Sequence, residues 1–135
     1  MILVDTSVLI DFLKGLRNER AALLKDIVAR DIPFGFSAFT YQEVLQGARD
    51  EQEFEKLAAY MSTQTIYYIR DELPVYEKAA RMYFDLRRKG VTIRSTIDVL
   101  IALTATENRL YLLHNDNDFD AMARRLPELK VLTTL

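Results

Sequence analysis

Ile2-Leu3-Val4-Asp5-Thr6-Ser7, at the amino terminus, sets the frame for the rest of the chain. Three apolar residues, two of them β-branched, predict a short buried strand. Asp5 stops that strand. Thr6 and Ser7 can cap the next segment, where Val8, Leu9, Phe12 and Leu13 recur at helical spacing. Asp5 is therefore expected at the carboxyl end of a strand, just before a helix. In open α/β sheets that edge is where ligands bind.

The same alternation runs on from there. Leu23, Leu24, Ile27 and Val28 stripe a helix that stops before Asp31-Ile32-Pro33, and Phe34-Gly35-Phe36-Ser37 reads as a second strand. Ser37 can cap a helix with Tyr41, Val44, Leu45 and Ala48 on one face, with Gly47 either packing closely or ending it. Phe54, Leu57, Ala58 and Met61 make the next helix, and Thr65 to Ile69 a third strand. Pro74 fits the first turn of a helix striped by Val75, Ala79, Met82 and Leu86. That helix ends at Arg87-Arg88-Lys89-Gly90, with cations in the last turn and glycine after it. Residues 91 to 94 are ambiguous.

Ser95 to Asp98 opens a helix apolar nearly all round (Ile97, Val99, Leu100, Ile101, Ala102, Leu103, Ala105), which implies burial on most sides. Leu110 to His114 is a fourth strand, and Asn115-Asp116-Asn117-Asp118 a loop. Phe119, Met122, Ala123 and Leu126 stripe a last helix before a strand at Lys130 to Thr133. Strands alternating with helices predict an α/β fold: a mostly parallel central sheet covered by helices on both faces. With no linker, repeat or low-complexity tract, residues 1–135 are expected to form a single domain.

Composition narrows the chemistry. Half of the 135 residues are hydrophobic and 28% are charged, which suits a globular chain with its own core. There is no cysteine, so disulfides, thiolate ligands and cysteine nucleophiles are all excluded, and the cytoplasm is the default compartment. No apolar run approaches the roughly 20 residues that span a bilayer, and no signal peptide is legible. The net charge of -2 does not itself suggest a nucleic-acid binder, but clustered acids and separate bases can hide inside such a total. One histidine and no cysteine exclude a two-histidine ribonuclease and a Cys-His hydrolase. No G-x-S-x-G or Walker A run is present.

Several acids remain, each with a bland explanation. Asp5 is a natural N-cap. Ser95-Thr96-Ile97-Asp98 has capping-box spacing, so Asp98 can reach back to the Ser95 amide. One of Asp116 and Asp118 is expected to cap a helix. Glu43 lies off the apolar stripe of its helix, which solvent exposure explains. His114 suits an ordinary hydrogen bond at a strand end. In combination the positions say more. If the first and fourth strands are neighbours, Asp5 and Asp116 emerge at one edge, and Asp98 heads the helix leading into the second of those strands. Two carboxylates about 4 Å apart repel by roughly 4 kcal/mol at an effective dielectric near 20, so such a cluster needs protons or cations. All-oxygen ligands select a hard ion, Mg2+, Mn2+ or Ca2+, and few carboxylates with retained waters favour Mg2+. Metal-dependent phosphodiester hydrolysis is the reaction this residue set can support.

The chain resembles the PIN-domain ribonucleases, most closely the VapC toxins of toxin–antitoxin pairs. The resemblance rests on Val4-Asp5-Thr6-Ser7, on Glu43, on Ser95-Thr96-Ile97-Asp98 with Leu100-Ile101-Ala102, and on Leu112 to Phe119. It implies a three-layer α/β/α sandwich and a Mg2+- or Mn2+-dependent endoribonuclease leaving 5′-phosphate and 3′-hydroxyl ends. It also implies an acidic site of Asp5, Glu43, Asp98 and Asp116, with Asp118 auxiliary and Thr6 supporting the first Asp. His114 stands where many members have threonine, which leaves its role open. A homodimer and a cognate VapB-type antitoxin that occludes the site are implied as well.

On this reading Asp5, Asp98 and Asp116 hold the ion, while Glu43 and Asp118 place a second ion or a water. RNA is expected to lie against Arg87, Arg88, Lys89 and Arg94, though the first three are also ordinary charges at a helix end. Two rivals stand beside it: a catalytically idle PIN domain that binds RNA or protein, and a receiver-type phospho-acceptor domain. A receiver uses an adjacent acidic pair near its first strand, whereas Asp5 stands alone.

Overall fold

The computed structural model describes residues 1–135. Its first half runs β1 (Ile2–Val4), α1 (Thr6–Leu13), α2 (Glu19–Ala29), β2 (Phe34–Ser37), α3 (Ala38–Gln46), α4 (Glu51–Ser62) and β3 (Thr65–Tyr67). The second half runs α5 (Leu73–Arg88), α6 (Thr96–Glu107), β4 (Tyr111–Leu113), α7 (Asn117–Arg125) and β5 (Lys130–Val131). The five strands form one sheet in the order β3-β2-β1-β4-β5, and every pairing is parallel. The expected sandwich is present. Strands three, four and five are shorter than the runs expected for them, and residues 91 to 94 form a loop.

Alternation along β1 divides the core in two. Leu3 faces one side, where it meets Leu112 and the buried faces of α5, α6 and α7. Ile2 and Val4 face the other, against Phe36, Leu113 and side chains from α1, α2, α3 and α4. A strand buried on both faces must be apolar throughout, which is why Ile2-Leu3-Val4 carries no polar residue. Helix α6 packs against α3, α5, α7 and β4, which accounts for its apolar circumference. Each large side chain buried in these clusters, such as Leu86 or Phe119, stabilises the fold by about 2 kcal/mol.

Three local features shape the carboxyl edge of the sheet and the loops around it. β1 lies between β2 and β4 with Val4 opposite Leu113, so the chain leaves both strands side by side. Because β2 and β3 go one way from β1 and β4 and β5 the other, a crevice opens at the carboxyl edge between β1 and β4. Gly35 lets β3 approach β2: a Cβ there would sit 2.6 Å from the Thr65 carbonyl oxygen and 2.7 Å from the Tyr67 ring. Finally, α5 ends in a Schellman motif. Gly90 at φ +82 turns the chain, its amide donating to the Arg87 carbonyl at 3.0 Å and the Val91 amide donating to Leu86 at 2.8 Å. Ile93 is buried just beyond, so the loop that carries Arg94 is anchored on both sides. Gly47 ends α3 as its C-cap with an ordinary φ of -82. No helix is long and apolar enough to cross a membrane.

Candidate metal centre

Asp5 leaves β1 at the crevice and caps α1. Its Oδ2 accepts from the Ser7 amide at 3.1 Å and from the Ser7 hydroxyl at 2.6 Å. The Ser7 oxygen accepts in turn from the Asn115 amide at 3.0 Å, which ties the end of β1 to the loop after β4. The bland role and the site-facing position therefore coincide: Asp5 is an N-cap, 4% exposed, in the crevice. The hydroxyl that bonds Asp5 is that of Ser7, while the Thr6 hydroxyl turns to Glu43. An N-cap carboxylate accepts from the second or third amide of its helix, and Ser7 is the second. Thr6, at the first helical position, donates its hydroxyl to Glu43 Oε1 at 2.8 Å and lies 3.2 Å from the Thr40 hydroxyl. Thr40 is buried and held by Ser37, so a short chain of hydroxyls aims Glu43 from α3 towards α1.

Helices α6 and α7 supply the remaining acids. Asp98 does not form the capping box. Ser95 Oγ accepts from the Ile97 amide at 3.2 Å, and the Asp98 carboxylate makes no hydrogen bond with the protein. Asp116 is the cap of the 115–118 loop: its Oδ1 accepts from the Asp118 amide at 2.9 Å. Asp98, Asp116 and Asp118 each offer an oxygen, and the three ligand atoms lie within 4.8 Å of one another. Asp5 and Glu43 stand outside that tight group.

Electrostatics shows that all five acids share one rim. The Asp98 carboxyl is pushed up from an ordinary 3.8 to about 7, first by burial and then by the charges of Asp5, Asp116, Glu43 and Asp118. Burial raises Asp5 as well; the two Ser7 hydrogen bonds oppose that rise, and the Glu43 charge adds to it. A site that drives one carboxyl to hold its proton near neutrality has a deficit of positive charge. Three clustered carboxylates, with no sulfur and no imidazole among them, fit a hard divalent cation.

Two other side chains touch this cluster. Arg94 donates from Nε to Asp118 Oδ2 at 3.1 Å and from Nη2 to Asp116 Oδ1 at 3.3 Å. His114 is buried, and its Nδ1 accepts from the Asp116 amide at 3.1 Å, which assigns the ring proton to Nε2. Burial lowers its pKa, so the ring is neutral, with Nε2 at 3.2 Å from Asp120 Oδ1 but not aligned for a hydrogen bond. His114 thus does more than the expected strand-end bond: it fixes the backbone of an acid. A polar pocket of about 340 Å3 opens beside it, lined in part by Asn18, Arg20, Asn115 and Asn117.

The basic residues divide. Arg94 lies on the acids, whereas Arg87 and Arg88 stack over the Phe84 ring at 5.8 and 5.6 Å, joined there by Arg81 at 5.3 Å. Lys89 is the C-cap of α5. Sequence reasoning does not reach the roles of Ser7, Thr40 and the Phe84 cluster. Only Ser7, legible as a cap, and Thr40, three residues after Ser37, leave a signal there.

Residues 2–125 match the PIN domain family. A Mycobacterium bovis protein named VapC ribonuclease Mb1587 is 28% identical over 125 residues, covering 92% of each chain. The same figures hold for a Mycobacterium tuberculosis protein named ribonuclease VapC11. Among solved structures, a toxin–antitoxin complex from Klebsiella pneumoniae aligns with TM-score 0.69 at 24% identity, over 99% of this chain and 98% of that one. VapBC-1 from nontypeable Haemophilus influenzae aligns with TM-score 0.72 at 21% identity, over 98% and 97%. At these identities the solved structures establish the shared fold.

Proposed function

The chain belongs to the PIN domain family, and from that premise we propose that residues 1–135 act as one PIN domain, a metal-dependent endoribonuclease toxin of the VapC type. The observation that carries the reading is the trio Asp98, Asp116 and Asp118, whose ligand atoms lie within 4.8 Å of one another at the crevice. Relatives named as ribonucleases over nearly their whole length support the substrate class.

These residues would hold Mg2+ or Mn2+, with Asp5 completing the acidic wall behind them. When bound, the ion would polarise the phosphoryl oxygens and stabilise the leaving 3′ oxygen. The protein's own groups do the rest. Asp98 must give up its proton before it can act as a ligand. Glu43 has one oxygen engaged by Thr6 and Oε2 free, which suits it to orient the attacking water and take its proton. Water adds to phosphorus as the bond to O3′ breaks, and O3′ takes a proton from solvent, leaving 5′-phosphate and 3′-hydroxyl ends. Arg87, Arg88 and Lys89 would meet the RNA backbone outside the acidic pocket. The solved toxin–antitoxin relatives support a VapB-type antitoxin as partner, and a homodimer acting in the cytoplasm belongs to the same proposal.

Purified protein should cut RNA with Mg2+ or Mn2+ and stop in EDTA, and Asp5→Ala and Asp98→Ala should each abolish cleavage while the fold survives. Cleavage at the wild-type rate by both variants would reject the assignment. RNA binding without cleavage would favour an idle PIN domain.

A further inference from the structure

We propose that Arg94 is a positioning residue for the metal centre: its guanidinium holds one oxygen each of Asp116 and Asp118 so that their other oxygens turn, with Asp98, towards a divalent ion. The proposal rests on the metal-dependent reading above and names the residue that organises that site.

The hydrogen bonds divide each carboxylate in two. Asp118 Oδ2 takes the Arg94 Nε–H at 3.1 Å and the Arg94 backbone N–H at 3.3 Å, while Oδ1 has no protein partner. Asp116 Oδ1 takes the Arg94 Nη2–H at 3.3 Å and the Asp118 amide at 2.9 Å, while Oδ2 has none. The two free oxygens and the unbonded Asp98 carboxylate are what a cation would meet. A donor on one oxygen and an ion on the other is how outer-shell groups orient carboxylate ligands. Lysine has no planar fork with which to grip two carboxylates at once. The guanidinium is delivered from outside the cluster. The Schellman turn at Gly90, the buried Ile93 and the Ser95 cap fix the loop, so Arg94 reaches the acids across 22 and 24 residues of sequence.

A simpler view makes Arg94 only a counter-charge that a metal replaces, and the two views predict opposite signs. Removing a positive charge beside a divalent site, with the arginine 75% exposed, should tighten metal binding by about tenfold at most. Removing an orienting partner should weaken it by about 10- to 100-fold.

The experiment is calorimetric titration of Mn2+ into the full chain at pH 8, for wild type, Arg94→Lys and Arg94→Gln. Circular dichroism checks folding, which an exposed side chain leaves intact. The expected result is Mn2+ binding weakened about tenfold or more in both variants, with RNA cleavage returning towards the wild-type rate at saturating Mn2+. Tighter binding by Arg94→Gln with Arg94→Lys unchanged would leave only a counter-charge and overturn the proposal. Unaltered Mn2+ affinity with a raised KM for RNA would assign Arg94 to substrate and overturn it too. If wild type itself takes no Mn2+, the metal-dependent reading fails first, a result distinct from either.

Discussion

Replacing Asp98 with asparagine should make the metal-free protein more stable while abolishing its activity. The carboxyl of Asp98 is raised from 3.8 to about 7 by burial and by four neighbouring acids. A group whose native pKa lies above its unfolded value binds its proton more tightly when folded. It costs stability as pH climbs from about 4 to about 7, and the cost is complete above that. About three units correspond to about 4 kcal/mol, but Asp98 is half-buried, and solvent screening reduces this to about 1–2 kcal/mol. Asparagine also forfeits the favourable interaction of a charge in the first turn of α6, about 0.5 kcal/mol. The net gain at pH 8 is about 1 kcal/mol, a rise in Tm of about 3–6 °C for a chain of this size. The assay is thermal unfolding in EDTA at pH 8 and at pH 4, where both side chains are neutral and the difference should vanish. An Asp98→Asn variant no more stable than wild type at pH 8 would refute the claim that these acids converge.

Metal affinity should follow the same proton. Calorimetric titration with Mn2+ is expected to show a Kd that weakens about tenfold per pH unit below 7 and levels off above it, with about one proton released per ion at pH 6. A pH-independent Kd between 5 and 8 would contradict it. At His114 the two nitrogens can be separated. His114→Asn keeps an acceptor where Nδ1 meets the Asp116 amide and should retain most Mn2+ affinity, whereas His114→Gln places its polar group further out and should lose about tenfold. Gly35→Ala forces a methyl to 2.6 Å from the Thr65 carbonyl oxygen, so chemical denaturation should report a loss of about 2–4 kcal/mol.

The sheet is legible in the sequence because its signals are local. Ile2-Leu3-Val4 before Asp5, and Tyr111-Leu112-Leu113 before the 115–118 loop, each announce a strand followed by an acid. That β1 and β4 pair, with Val4 beside Leu113, requires the topology. Glu43 illustrates a different limit. On a helix, a carboxylate facing a site and one facing water both lie off the apolar stripe, so periodicity cannot separate them; the family resemblance can. Ser95 to Asp98 gives a misleading local signal, since the capping-box spacing is present but Asp98 turns to the cluster. Thr6 and Arg94 lie beyond sequence reasoning for one reason. Their partners are Glu43 in one case and Asp116 and Asp118 in the other, contacts made by packing of α1 on α3 and of the α5–α6 loop on α7. The charges at Arg87, Arg88 and Arg94 read as one patch in the sequence, but only Arg94 touches the acids.

The most direct measurement is an anomalous difference map from crystals of the metal-free protein soaked in Mn2+ at pH 8. Convergence of the carboxylates predicts a peak bounded by Asp98, Asp116 and Asp118, facing Asp116 Oδ2 and Asp118 Oδ1. Mn2+ bound elsewhere on the surface, or absent while these three side chains remain as they are, would contradict it.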